Sequence, residues 1–437
     1  MIKRGGFGRP SFFVRFSADC TAPALLPLPK TADFAPLNGG FWDDRAMNDT
    51  TSSLPLVRLK TERRSNHPWI FQKMVEKPDP KPRPGSVVDI EDRTGEWVGR
   101  GFYNGHSRIA LRVLTERFDE TIDPDFFRRR IARALELRRD VLKLDDVTDA
   151  YRVVHSEGDD LSGLIVDRFA DTLVIEYFSA GMWKQRDVIR RALAEIYTNH
   201  QFYWFAEEHV AKQESFDCSV PAPPPPTTIT EHGLSFKVAP GQKHKTGFFA
   251  DQRDNRKRLG DYSAGKRVLD LCCNSGGFAV YAKAAGATEV VAVDLDEEVL
   301  ELAKHNARIN KTPVRFVHAD IFPWLRDAAN NGEAFDTVIL DPAKMTRDRE
   351  QVIPALKKYL DMNKLALGVV KPGGILLTCS CTGLVSEEQF LDMIRRAAFY
   401  ANRTVQILEV RGAGADHPWL AHVPESRYLK SVFCRVY

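Results

Sequence analysis

The chain has 437 residues, of which 43% are hydrophobic and 28% charged, with a formal net charge of +3 and a sequence pI of about 8.4. That length argues for about three domains, and no apolar run reaches the roughly 18 residues that a membrane-spanning helix needs. Seven scattered cysteines without paired C-x-x-C knuckles argue against a disulfide framework or a zinc ribbon, so a reducing cytoplasm and no metal site are expected.

Residues 1–53 mix Gly, Pro, Phe and Asp without periodicity and read as a disordered, dispensable extension. The basic opening from Met1 to Arg15 has the composition of an organellar transit peptide, with an upstream start codon and Met47 nearer the true beginning as the plainer reading. Residues 54–118 carry short strand patterns at Leu56–Leu59, Ser86–Ile90, Trp97–Tyr103 and Ile109–Leu114, the spacing of a small β-barrel. Arg58, Lys60, Arg64, Trp69 and Arg100 combine cations with an aromatic ring, which suits phosphate contact and base stacking on RNA. Trp69 taken alone reads as core.

Residues 119–230 form a central α+β section and linker. An arginine-rich amphipathic helix is expected from Asp123 to Leu144, with Phe126, Phe127, Ile131 and Leu135 on one face. A hairpin turns at Ala170-Asp171-Thr172, a helix runs from Trp183 to about Tyr197, and Pro221 to Pro226 mark a linker.

From residue 231 to 437 strands and helices alternate, the α/β signature. The run Val268-Leu269-Asp270-Leu271 leads into the turn Cys272-Cys273-Asn274-Ser275-Gly276-Gly277 and then a helix pattern. The next strands end at Asp294, Asp320 and Asp341. Val405–Val410 and Lys430–Val436 are expected to pair as a terminal antiparallel hairpin. In open α/β sheets ligands lie at the carboxyl ends of strands. The glycine turn lacks the repeated glycines that suit a pyrophosphate, and the acid series looks like an S-adenosylmethionine site. Asp270 and Gly276 are assigned to the methionine and ribose end, Asp294 to the ribose hydroxyls and Asp320 to the adenine amine.

Strand alternation over Ile375–Gly383 sets Cys379 and Cys381 on one face, with Cys381 nearer the crevice and beside Asp341. Carbon 5 of cytosine is a poor nucleophile, and a thiolate adding to carbon 6 turns the ring into an enamine that can attack a sulfonium methyl. Asp341 would hold the exocyclic amine and ring nitrogen of the base, and Lys344 would reach the phosphate or the base.

The chain from about Leu56 onward resembles the bacterial large-subunit ribosomal RNA methyltransferase I family. The resemblance rests on Asn66-His67-Pro68-Trp69-Ile70-Phe71, Glu157-Gly158-Asp159-Asp160-Leu161-Ser162-Gly163, His244-Lys245-Thr246-Gly247-Phe248-Phe249-Ala250-Asp251-Gln252-Arg253, Ser275-Gly276-Gly277-Phe278 and Ala415-Asp416-His417-Pro418. It implies an RNA-binding PUA domain, a central domain and a Rossmann-like class I methyltransferase domain that makes 5-methylcytosine in ribosomal RNA. It also implies that Phe249, Asp251, Gln252 and Arg253 shape the cofactor pocket and that Cys381 is the nucleophile. The chain departs from the family at Asp341-Pro342-Ala343, where Asp-Pro-Pro is usual, and at Cys272-Cys273-Asn274, where aromatic residues are usual. It has no second cysteine in the fourth-strand motif, so product release falls to another group or to Cys379. Two alternatives stay open: an RNA methyltransferase for another base atom, such as guanine N7, and a non-catalytic RNA-binding assembly factor. A homodimer also stays open.

Overall fold

The computed structural model describes residues 54–241 and 246–437. The expected extension 1–53, and His244 and Lys245 of the long motif, lie outside the described residues. Among the described residues, β1 (Leu56–Arg58), β2 (Trp69–Phe71), β3 (Ser86–Glu91), β4 (Trp97–Tyr103) and β5 (Ile109–Thr115) form a five-stranded sheet in the order β1-β3-β4-β5-β2. β1 runs parallel to β3 and the other pairs are antiparallel. Val57, Val88, Ile90 and Leu111 are fully buried inside it. β2 is not foreseen because three residues after a proline carry too little periodicity to register.

The central section begins with α1 (Pro124–Glu136). Asp123 caps it by accepting from the Phe126 N–H at 2.8 Å, and Pro124 occupies the first helical position. Beyond Glu136 the expected helix continues only as a wider π-type turn, Leu137–Val141, which carries Arg138 fully into the interior. β6 (Ala150–His155), β7 (Leu164–Phe169) and β8 (Thr172–Tyr177) are antiparallel, with β7 and β8 making the expected hairpin. α2 (Ala180–Lys184) and α3 (Arg186–Ile196) replace the single expected helix. β9 (Gln201–Phe205) joins β8 in parallel, and α4 (Glu208–Glu214) follows.

One face of this four-stranded sheet packs on α1 and α3 in a core that also takes Phe102 and Leu114 from the barrel. The other face meets the hairpin of β10 (Thr227–Glu231) and β11 (Leu234–Val238), with Phe169 and Val174 packed beside Ile229, Phe236, Val280 and Tyr281. The domains therefore share cores, and residues 54–437 fall in one compact unit.

The remaining elements are α5 (Arg253–Gly260), β12 (Arg267–Leu271), α6 (Gly277–Ala284), β13 (Glu289–Asp294), α7 (Glu297–Ile309), β14 (Arg315–His318) and α8 (Ile321–Asn330), then β15 (Phe335–Leu340), α9 (Val352–Gly368), β16 (Val370–Ser380), α10 (Glu387–Tyr400), β17 (Val405–Arg411) and β18 (Lys430–Val436). Their strands make one sheet in the order β14-β13-β12-β15-β16-β18-β17. β14 through β16 are parallel, and the last two strands return antiparallel as the expected terminal hairpin. The strand order reverses at β12, so a crevice opens at the carboxyl ends of β12, β13 and β15.

Candidate active site at the carboxyl ends of the parallel strands

The turn after β12 is a left-handed step at Cys272, Asn274 and Gly276, with φ of 58°, 46° and 79°. Asparagine tolerates this region and glycine enters it freely. A Cβ on Gly276 would also stand 3.1 Å from the Ala303 Cβ, so glycine lets the turn lie against α7. Asn306 of α7 holds the turn from behind by donating to the Ser275 carbonyl at 3.0 Å. The backbone of the turn is thereby presented to the crevice.

Asp294, at the end of β13, accepts from the Asn274 N–H at 2.8 Å and from the Asp296 N–H at 3.0 Å. Asp270 accepts from the Ala279 N–H at 3.0 Å through one oxygen. Its other oxygen is buried and has no hydrogen-bond partner among the described residues. Burial, with Asp341 and Asp294 nearby, raises the Asp270 carboxyl well above its ordinary value. Burial likewise pushes the Cys272 thiol up, and Asp294, Asp341, Asp270 and Asp320 all add to that push. All four acids therefore lie within electrostatic reach of Cys272. Asp320 does so differently from the expectation. β14 ends at His318, and Asp320 is an exposed N-cap of α8 that accepts from the Phe322 N–H at 2.9 Å.

Like charges crowded around an unsatisfied carboxylate oxygen call for a cation and hydrogen-bond donors. S-adenosylmethionine carries a sulfonium, an ammonium and ribose hydroxyls, and no phosphate. The residues present fit it.

Asp341 follows β15 and accepts from the Gln252 side-chain amide at 3.0 Å. Cys381 is half-buried just past the end of β16, which stops at Ser380. Cys379 is fully buried, with its thiol donating to Ser431 Oγ at 3.4 Å and burial raising it well above the usual range. The loops that follow β15 and β16 are joined: the Met345 N–H donates to Thr382 Oγ1 at 3.1 Å, and the same hydroxyl meets the Tyr359 phenol at 2.9 Å. The register pairs Leu340 with Thr378, so Asp341 lies one residue and Cys381 three residues beyond that pair, on loops joined by the Met345–Thr382 hydrogen bond.

The segment Phe249–Arg253 divides its duties. Gln252 turns to Asp341, while Asp251 accepts from the Tyr428 phenol at 2.5 Å. Phe249 is half-buried and its carbonyl accepts from Arg256. Arg253 forms a buried ion pair. Its guanidinium grips Asp416 with bonds of 2.8 and 3.3 Å. Asp416 also accepts from the Arg152 N–H at 2.9 Å, and its carbonyl accepts from buried Arg138 at 2.6 Å. Arg138 in turn makes a two-pronged pair with Asp159. Gly158 completes the fit, because a Cβ there would lie 2.1 Å from the Pro418 carbonyl oxygen. The central section is thus tied to the loop around Asp416. Sequence reasoning quotes Asp159 and Asp416 as motif residues but does not foresee that they share one cluster.

Two residues expected to bind RNA have partners within the chain. Arg100 is buried, pairs with Asp89 at 2.8 Å and donates to the Glu120 carbonyl at 2.6 Å. Trp69 donates its indole N–H to Glu157 at 2.7 Å, with the Arg112 guanidinium 5.9 Å from its ring, and so seals the barrel to the central section. Arg58, Lys60, Arg64 and Lys344 are exposed. The helix arginines are largely paired within the chain, Arg130 and Arg133 with Asp160 and Arg128 with Glu195. Among the described residues no group of His, Cys, Asp and Glu could hold a metal ion, and no helix is long and apolar enough to cross a membrane.

Comparison with known proteins agrees with this geometry. Residues 151–413 match a family described as S-adenosylmethionine-dependent methyltransferase, and residues 59–116 match a PUA-like domain. The chain is 40% identical over 378 residues to ribosomal RNA large subunit methyltransferase I of Aeromonas hydrophila, covering 84% of this chain and 95% of that one. It is 42% identical, with the same coverage, to the protein of that name from Tolumonas auensis. A solved methyltransferase complexed with SAH superposes with a TM-score of 0.75 at 20% identity, covering 88% of this chain and 100% of its own. That likeness speaks for the fold.

Proposed function

The chain belongs to the ribosomal RNA large subunit methyltransferase I family of S-adenosylmethionine-dependent enzymes, and on that basis we propose that it forms 5-methylcytosine in large-subunit ribosomal RNA by covalent thiolate catalysis. The observation that supports the reading is the placement of Asp341 and Cys381 just past the ends of adjacent strands, on loops joined by the Met345–Thr382 hydrogen bond, with Asp270, Asp294 and Asp320 on neighbouring segments.

Bound in that crevice, S-adenosylmethionine supplies an electrophilic methyl group. The Asp270 turn with Gly276 takes the methionine end, Asp294 the ribose and Asp320 the adenine amine. Gln252 holds Asp341 in place, and Asp341 accepts from the cytosine amine and the protonated ring nitrogen. The Cys381 thiolate adds to carbon 6, and the electron pair so released makes carbon 5 the nucleophile toward the methyl. A base then removes the carbon 5 proton, the carbon 6–sulfur bond breaks and the thiolate returns.

RNA containing 5-fluorocytidine tests this order, because fluorine at carbon 5 cannot leave as a proton. With cofactor present, the protein should become covalently joined to such RNA, and Cys381→Ala should abolish the adduct. An adduct that persists in Cys381→Ala would contradict the assignment.

A further inference from the structure

β18 pairs antiparallel with β16, and its first residue, Lys430, stands opposite Ser380, the last residue of β16 and the neighbour of Cys381. Lys430 is only 2% exposed, in surroundings where an unpaired ammonium would be strongly disfavoured. Its Nζ donates to three backbone carbonyls, those of Thr382 at 2.8 Å, Val385 at 2.8 Å and Tyr428 at 2.9 Å. A neutral amine has two N–H bonds, so three acceptors are matched only by the cation. Two of those acceptors lie on the loop that begins at Cys381.

Resting on the reading of Cys381 as nucleophile, we propose that Lys430 is its positioning residue, whose buried ammonium fixes the 381–385 loop at the crevice and whose charge favours the Cys381 thiolate. The thiolate is the species that adds to carbon 6. Asp341 sets a carboxylate at the end of the neighbouring strand β15, and like charge disfavours an anion near it. A fixed cation offsets that carboxylate. Burial pushes Lys430 down to about 8, with Cys381 opposing the fall, Arg427 adding to it and Glu387 opposing it. Arg427 is itself paired with Glu387. Lys430 therefore keeps its proton at neutral pH.

The test is the pH profile of Cys381 alkylation by iodoacetamide in the full chain, read by mass spectrometry of the Cys381 peptide. The native chain should show a midpoint at or below the ordinary thiol value of about 8.5. Lys430→Gln keeps donors for the carbonyls and removes the charge. It should raise the midpoint by about one unit, which is roughly tenfold slower alkylation at neutral pH, while Lys430→Arg should retain the native profile. A native midpoint above the ordinary value would overturn the proposal without any variant having to fold. Identical profiles for the Gln and Arg variants would overturn it as well. Full methyl transfer by Cys381→Ala would remove the nucleophile reading, while the thiol profile would still decide whether Lys430 acts on that sulfur.

Discussion

Asp294 receives two backbone N–H groups, one of them from the glycine turn, so one carboxylate both holds the turn and faces the crevice. Hydrogen bonds to a charged group contribute about 1.5–3 kcal/mol each. Asp294→Ala should therefore weaken S-adenosylmethionine binding by roughly 10- to 100-fold in titration calorimetry, and unchanged affinity would count against the ribose assignment. Asp270, Asp294 and Asp341 are legible in the sequence because a strand end announces its position through apolar periodicity. Arg100 and Trp69 are not, because their partners Asp89 and Glu157 cannot be read from a run of cations and rings. Gln252 is legible only as part of the long motif, and Lys430 carries no local pattern at all.

At the scale of elements, the joint between β6 and the loop around Asp416 is what sequence alone could not give. Arg152 and Arg138 meet Asp416 across 264 and 278 residues of chain, and no periodicity reports such distances. Burial works against the Asp416 charge, yet His417 and Arg253 hold its carboxyl well below the ordinary 3.8. The folded state thus binds fewer protons than the unfolded one in acid, and the stabilisation is present above about 3.8 and lost as the pH falls further. Removing one partner of a buried pair costs about 3–5 kcal/mol. Asp416→Asn should lower urea stability by that order at pH 7, and the gap to the native chain should narrow below pH 4. A gap independent of pH would show that the carboxylate charge is not what joins the elements. The parallel strands, the β7–β8 hairpin and the terminal hairpin were legible, because alternation and turn residues are local. The inward rotation of Arg138 was not, because a π-type turn leaves no mark in composition.

For the whole molecule, barrel, central section and catalytic sheet share their cores and form a continuous body. Arg58, Lys60 and Arg64 remain exposed on the barrel as its proposed phosphate contacts. Each phosphate contact contributes about 0.7–0.9 to the slope of log affinity against log salt. Replacing all three by Ala should reduce that slope by roughly two for ribosomal RNA and raise KM with kcat little changed; an unaltered slope would move the RNA path elsewhere. The central claim, that Asp341 and Cys381 together direct a methyl group to carbon 5 of cytosine, is tested most directly by its product. Large-subunit ribosomal RNA incubated with labelled S-adenosylmethionine and the full chain should yield labelled 5-methylcytidine on nucleoside digestion, and label found only in 7-methylguanosine would contradict it.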